Sequence, residues 1–141
     1  MILPGSDPLP ERVSIKARAA PRLTGTASQV VLVVEDEPSV RAVAVETLRG
    51  LGFATLEAAD AAQAMLCLQG PERIDLLLLD GAKGLYPAVL ALVEPHLRPG
   101  ALIVADNADW SPEYLERVRS PAHGYMSVPF AGDVELSMRV G

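Results

Sequence analysis

Residues 74–84 read IDLLLLDGAKG. Five apolar residues, interrupted once by Asp75, run into a second acid, Asp80, and two glycines follow within four residues. A short apolar run of this kind, bounded by turn residues, reads as a strand buried on both faces, as in the middle of a parallel sheet. The acid then stands at the strand's carboxyl end, where open α/β sheets bind their ligands.

Working outward, QVVLVVEDEPS (29–39) repeats the pattern. Val30 to Val34 form a second buried run, which ends on Glu35 and Asp36. Pro38 or Ser39 opens a helix in which Val40, Val43, Ala44, Leu48 and Leu51 recur at helical spacing. FATLEA (53–58) reads as a strand and DAAQAMLCLQG (60–70) as a helix with Asp60 at its N-cap. Beyond Asp80, LYPAVLALVEPHLRPG (85–100) reads as a helix and ALIVADNA (101–108) as a strand ending on Asp106 and Asn107. SPEYLERVRS (111–120) is a helix with Pro112 at its first position. GYMSVPF and DVELSMRV, joined by AGD, read as a closing antiparallel hairpin.

Strands alternating with helices predict an α/β fold, a doubly wound Rossmann or flavodoxin-like three-layer sandwich. Its sheet is mostly parallel. Numbered in chain order, the strands are expected in spatial order 2-1-3-4-6-5, with strand 6 antiparallel. One domain over 29–141 suits the length. Residues 1–28, with four prolines and no sustained period, read as a flexible Pro-rich tail or linker. Within them only RVSIKAR (12–18) alternates apolar and polar residues.

Glu35, Asp36, Asp80, Asp106 and Asn107 should therefore gather on one rim. Crowded carboxylates hold protons or recruit a cation, and oxygen-only ligands favour Mg²⁺. The net charge of −6 disfavours nucleic acid and anionic membranes as partners. The single cysteine, Cys67, sits in an apolar helical pattern and reads as a packed thiol. No run is long enough to span a bilayer and the first ten residues lack a signal-peptide pattern, so a cytoplasmic protein is expected.

Two families share these features. Residues 29–80, with Glu35 and Asp36 after the first strand and Asp80 after the third, resemble a response-regulator receiver domain of the hybrid histidine kinase type. That resemblance implies a module of two-component phosphorelay signalling. It would bind Mg²⁺, accept a phosphoryl group on Asp80, and dock a histidine kinase or phosphotransfer protein on its first helix. The second half departs from that pattern: Ala105 and Val128 stand where a receiver has Ser or Thr and Lys.

Residues 75–141, through DGAK, ADN and the terminal VELSMRV, resemble a class I S-adenosylmethionine-dependent O-methyltransferase. In the metal-dependent members this resemblance implies a divalent ion at Asp80, Asp106 and Asn107, with Lys83 as general base. The glycine-rich cofactor loop is missing, since VEDEPS (34–39) takes its place. S-adenosylmethionine is therefore not expected to bind. The sequence thus reads as a chimera joined in IDLLLLD: a degenerate receiver first, an O-methyltransferase as the alternative, and a non-catalytic folded chimera as a third reading. Catalysis is not expected; an enzymatic chain would be the O-methyltransferase.

Overall fold

The computed structural model describes residues 29–141; the expected tail, 1–28, lies outside them. Six strands form one sheet: β1 (Val30–Val34), β2 (Ala54–Ala58), β3 (Ile74–Leu79), β4 (Leu97–Ala105), β5 (Tyr125–Pro129) and β6 (Glu135–Arg139). Four α-helices connect them: α1 (Pro38–Gly50), α2 (Ala61–Cys67), α3 (Tyr86–Val93) and α4 (Pro112–Val118). The spatial order is β2-β1-β3-β4-β6-β5. β1 pairs in parallel with β2 and β3, and β3 with β4; β6 runs antiparallel between β4 and β5. This is the order and direction expected from the sequence.

Period-2 alternation splits the core into two layers. Leu32, Val34, Ile74, Leu77, Leu79 and Ile103 point to one face, where Tyr86, Val89, Leu90 and Val93 of α3 and Tyr114 and Val118 of α4 bury them. Val31, Val33, Leu76 and Leu78 point to the other face and meet α1 through Ala44, Val45 and Leu48.

Three local readings are corrected. α1 buries only Val45, while Val43 is 65% exposed and Val40 46%. Its cap is Glu37, whose carboxylate accepts from the Ser39 N–H. The stretch LRPG belongs to β4, not to the preceding helix. Pro99 and Gly100, the latter at φ 87°, cannot continue a helix. They instead bulge the strand: Ile74 pairs with Leu97, but Leu76 pairs with Leu102. Trp110, just beyond the end of β4, is 75% exposed.

β6 carries a buried charge on its α4 side. Glu135 is 2% exposed and takes two bonds from the Arg119 guanidinium, at 2.9 and 2.7 Å, and one from the Ser127 hydroxyl at 2.6 Å. The Arg119 bonds hold the Glu135 carboxyl below its ordinary 4.5. The stability from this pair is therefore present above pH 4.5 and is lost as pH falls through the lowered folded value. Removing one partner of a buried pair leaves the other uncompensated. Because Arg119 is itself 44% exposed, the loss is discounted. Arg119→Ala should cost about 2 kcal/mol at pH 7 by urea unfolding, with the difference from wild type shrinking in acid. An unchanged midpoint at pH 7 would show that the ion pair contributes nothing.

Candidate functional site

The carboxyl ends of β1, β3 and β4 are level because their backbones are tied to one another. The Asp80 N–H donates to Val34 O at 3.0 Å, and the Asp106 N–H donates to Leu79 O at 2.9 Å. The three acids that follow these strands are thus fixed by the sheet. Glu35, Asp80 and Asp106 line one pocket of about 190 Å³, whose remaining wall is apolar and includes Val33, Val40, Leu78 and Val104. The convergence expected of these three residues is present.

Asp36 and Glu37 are exposed in the turn before α1. Asn107 takes a left-handed conformation, φ 52°, and turns the chain out of β4. Lys83 is half-buried; its ammonium donates to the Gly81 carbonyl and lies 5.5 Å from the Tyr86 ring centre. Among the described residues, no group of three or more His, Cys, Asp or Glu side chains is arranged to hold a metal ion. The set expected to bind Mg²⁺ is therefore not gathered as a coordination sphere among the described residues.

Glu35 is the unusual acid of the rim. Its side chain is 5% exposed, and its carboxylate accepts from the Glu37 N–H at 3.0 Å. Burial first, then hydrogen bonding to Asp36 and the charge of Asp80, push its pKa up to about 7. Near neutral pH the site thus keeps one proton among its crowded carboxylates.

Two structural residues of the rim went unread in the sequence. The first is Tyr86. Its hydroxyl lies 3.0 Å from Leu79 O and 2.9 Å from Asp106 O, and it accepts the Gly81 N–H at 3.3 Å. One buried hydroxyl thereby clasps the ends of β3 and β4. The signal was present as an aromatic polar residue at the start of a helix right after the strand. The second is Gly81. A Cβ there would lie 2.9 Å from Asp36 Oδ1 and 3.2 Å from the Asp36 N. The close approach of backbones at this rim therefore occurs after β3, where DG supplies the glycine, rather than in the acidic turn after β1.

No protein-family model and no curated protein matches the chain. Solved structures do. A protein from Klebsiella pneumoniae assigned as an O-methyltransferase aligns with a TM-score of 0.55 and 19% identity, covering 80% of this chain and 62% of that one. The O-methyltransferase TomG from Streptomyces achromogenes, involved in tomaymycin synthesis and solved with S-adenosylmethionine, gives 0.54 and 16%, covering 79% and 61%. An O-methyltransferase from Bacillus cereus, solved with S-adenosylhomocysteine, gives 0.53 and 14%, covering 79% and 62%. At these identities the likeness establishes a shared Rossmann-like methyltransferase fold. The chain spans about three-fifths of the length of these proteins.

These findings overturn the receiver reading. A likeness over 80% of the chain cannot be confined to residues 75–141, which are fewer than half of its 141 residues. It must include the stretch read as a receiver, so no chimeric join is needed. The topology agrees, because flavodoxin-like sheets follow the order 2-1-3-4-5 and here an antiparallel β6 separates β4 from β5. The phosphorelay function built on Asp80 is withdrawn. So is the expectation against S-adenosylmethionine, because two of the similar folds were solved with that cofactor or its product.

Two measurements test the rim. The Glu35 pKa is raised in the folded state, so the contribution of this group to stability is greatest below its ordinary 4.5 and declines as pH rises through about 7. Glu35→Gln should flatten that decline and raise the melting temperature at pH 8 relative to wild type. A lowered melting temperature at pH 8 would show that the carboxylate is stabilising there. Tyr86→Phe removes a buried hydroxyl that serves two carbonyls and one N–H, and should cost about 1–3 kcal/mol in urea unfolding; no loss would mean the clasp carries no load.

Proposed function

We propose that this chain is a domain of an S-adenosylmethionine-dependent O-methyltransferase. The observation that supports the reading is the structural likeness to O-methyltransferases over about four-fifths of a chain whose own sheet carries antiparallel β6 between β4 and β5. Its rim has the electrostatics such a reaction uses. When bound, S-adenosylmethionine supplies a methyl group on a sulfonium centre. Glu35, Asp80 and Asp106 place negative charge around a pocket with an apolar wall, which favours a cation over a neutral molecule of the same shape. Glu57 is the penultimate residue of β2 and pairs with Val33 of β1. It is 44% exposed and is held by Arg41 at 3.2 Å, and it offers its carboxylate to a ribose.

Lys83 is the residue we assign to the substrate's hydroxyl proton. It lies three residues past Asp80, on the same rim, with its amine held beside Tyr86. Removing that proton would make the oxygen a stronger nucleophile toward the methyl group that S-adenosylmethionine would supply, its sulfur leaving with the bonding pair as a neutral thioether. Gly81 and Tyr86 keep the loop that carries Lys83 fixed against the strand ends.

Calorimetric titration with S-adenosylmethionine and S-adenosylhomocysteine tests this reading. Saturable binding is expected, tighter for the charged methyl donor than for its neutral-sulfur product, with the difference narrowing as salt is raised. Glu57→Gln should weaken both ligands by about tenfold, on the order of 1.4 kcal/mol. Absence of heat with either ligand at millimolar concentration would overturn the assignment.

A further inference from the structure

The basic side chains of the domain are not spread evenly. Residues 29–141 hold eight basic and sixteen acidic residues. Four of those eight, Arg73, Arg98, Arg117 and Arg139, gather at the amino ends of β3 and β4, at the opposite end of the sheet from the acidic rim. Arg73 immediately precedes β3, and Arg98 is the second residue of β4. Arg139 ends the antiparallel β6, which returns beside the start of β4. The β4 bulge between Leu97 and Leu102 holds Arg98 and Pro99 exposed at this end. Together with Arg73, Glu94, Pro95 and Arg139 they line a pocket of about 460 Å³.

We propose that this pocket binds the phosphate group of a small phosphorylated molecule. Its neighbouring acids are already engaged. Glu94 takes two bonds from Arg117, at 3.0 and 2.8 Å, and one from the Tyr125 hydroxyl at 2.7 Å. Asp75 pairs with Arg98 at 2.9 Å and accepts the Val30 N–H at 2.8 Å. Gly141, which also lines the pocket, enters none of these ion pairs. Arg73 and Arg139 are left with carbonyl partners alone. Arg73 donates to Pro95 O at 3.0 Å. Arg139 donates to His123 O and Gly124 O at 2.8 and 3.5 Å and rests 4.8 Å from the Tyr125 ring centre. A guanidinium has five N–H donors, so each keeps donors free while its position is held. Such a fork matches the oxygens of a phosphate. Two guanidiniums without a carboxylate, brought from different strands, attract a dianion more strongly than a monoanion. The pocket is larger than one tetrahedral ion needs and falls among sites for small organic ligands, about 300–1,000 Å³. Pro95 and Pro99 offer an apolar wall to the rest of such a molecule. A long polyanion is disfavoured by the net charge of −6. The site lies away from the acidic rim, so it does not rest on the methyl-transfer reading.

Calorimetric titration of the full chain with glycerol 3-phosphate, at constant ionic strength and against glycerol, tests this. Saturable binding is expected for the phosphorylated compound alone. Arg73→Gln and Arg139→Lys should each weaken it by about tenfold. The first removes a charge from an exposed side chain; the second keeps the charge and loses the fork. Should Arg139→Lys disturb the Tyr125 edge, seen as a lowered melting temperature, Arg73→Gln decides, since its one bond is to a carbonyl. Arg49→Gln, an equal loss of charge on α1, should leave binding unchanged. No saturable heat at millimolar glycerol 3-phosphate would overturn the proposal. So would equal weakening by Arg49→Gln and Arg73→Gln, because binding would then follow net charge. Inorganic phosphate binding as tightly as glycerol 3-phosphate would also overturn it, reducing the pocket to a bare-ion site. Binding to phosphatidylglycerol vesicles with none to glycerol 3-phosphate would do the same, since the arginines would then meet a membrane surface.

Discussion

The structure depends on β3 being satisfied on all four sides. Its backbone bonds to β1 on one edge and β4 on the other, and from Leu76 to Leu79 its side chains are apolar toward both faces. A strand in that position has no freedom of register, because a slip of one residue would exchange its two apolar sets between unlike layers. Whatever follows β3 is therefore placed with the precision of the core. Asp80 follows it directly, and the bonds from Asp80 to Val34 and from Asp106 to Leu79 extend that precision to the neighbouring strand ends. The Tyr86 clasp adds a side chain to the same task. It leaves the buried face of α3 and reaches the rim from beneath.

Much of the fold was legible because its signals are local. The apolar runs at 30–34 and 74–79 read as buried strands, and the five-residue link between β5 and β6 forces antiparallel pairing. The places that misled are those where tertiary context outweighs pattern. Val40 and Val43 keep helical spacing in α1, yet only one narrow stripe of that helix meets the sheet. Residues 97–100 follow α3 after the single turn Glu94–His96, and the positive φ of Gly100 appears only in the structure, where the strand has already begun at Leu97.

The choice between families failed for a related reason. Both plans open with the same three strands and put acids at the same ends, so residues 29–80 carry no local signal that separates them. The separating feature is where the last strand inserts, which is a long-range property of the sheet. The convergence of Glu35, Asp80 and Asp106 was readable from strand ends alone. The roles of Tyr86 and Gly81 were not, because each depends on a distance between segments that the sequence does not state.

The lack of glycine after β1 looked decisive against a cofactor, and its physical meaning is narrower. A glycine is needed only where a Cβ would block a close approach. At this rim the close approach is between the Asp36 turn and the loop after β3, and the glycine stands in that loop, at Gly81. The acidic turn instead supplies charge. Burying Glu35 beside Asp36 and Asp80 costs enough that a proton stays with them near neutral pH. A proton is the smallest cation available to the site, and on the proposed function a sulfonium centre entering the pocket would take over the same neutralising role. The acids that seemed to mark a phosphate site are thus, in electrostatic terms, better suited to a cation than to an anion.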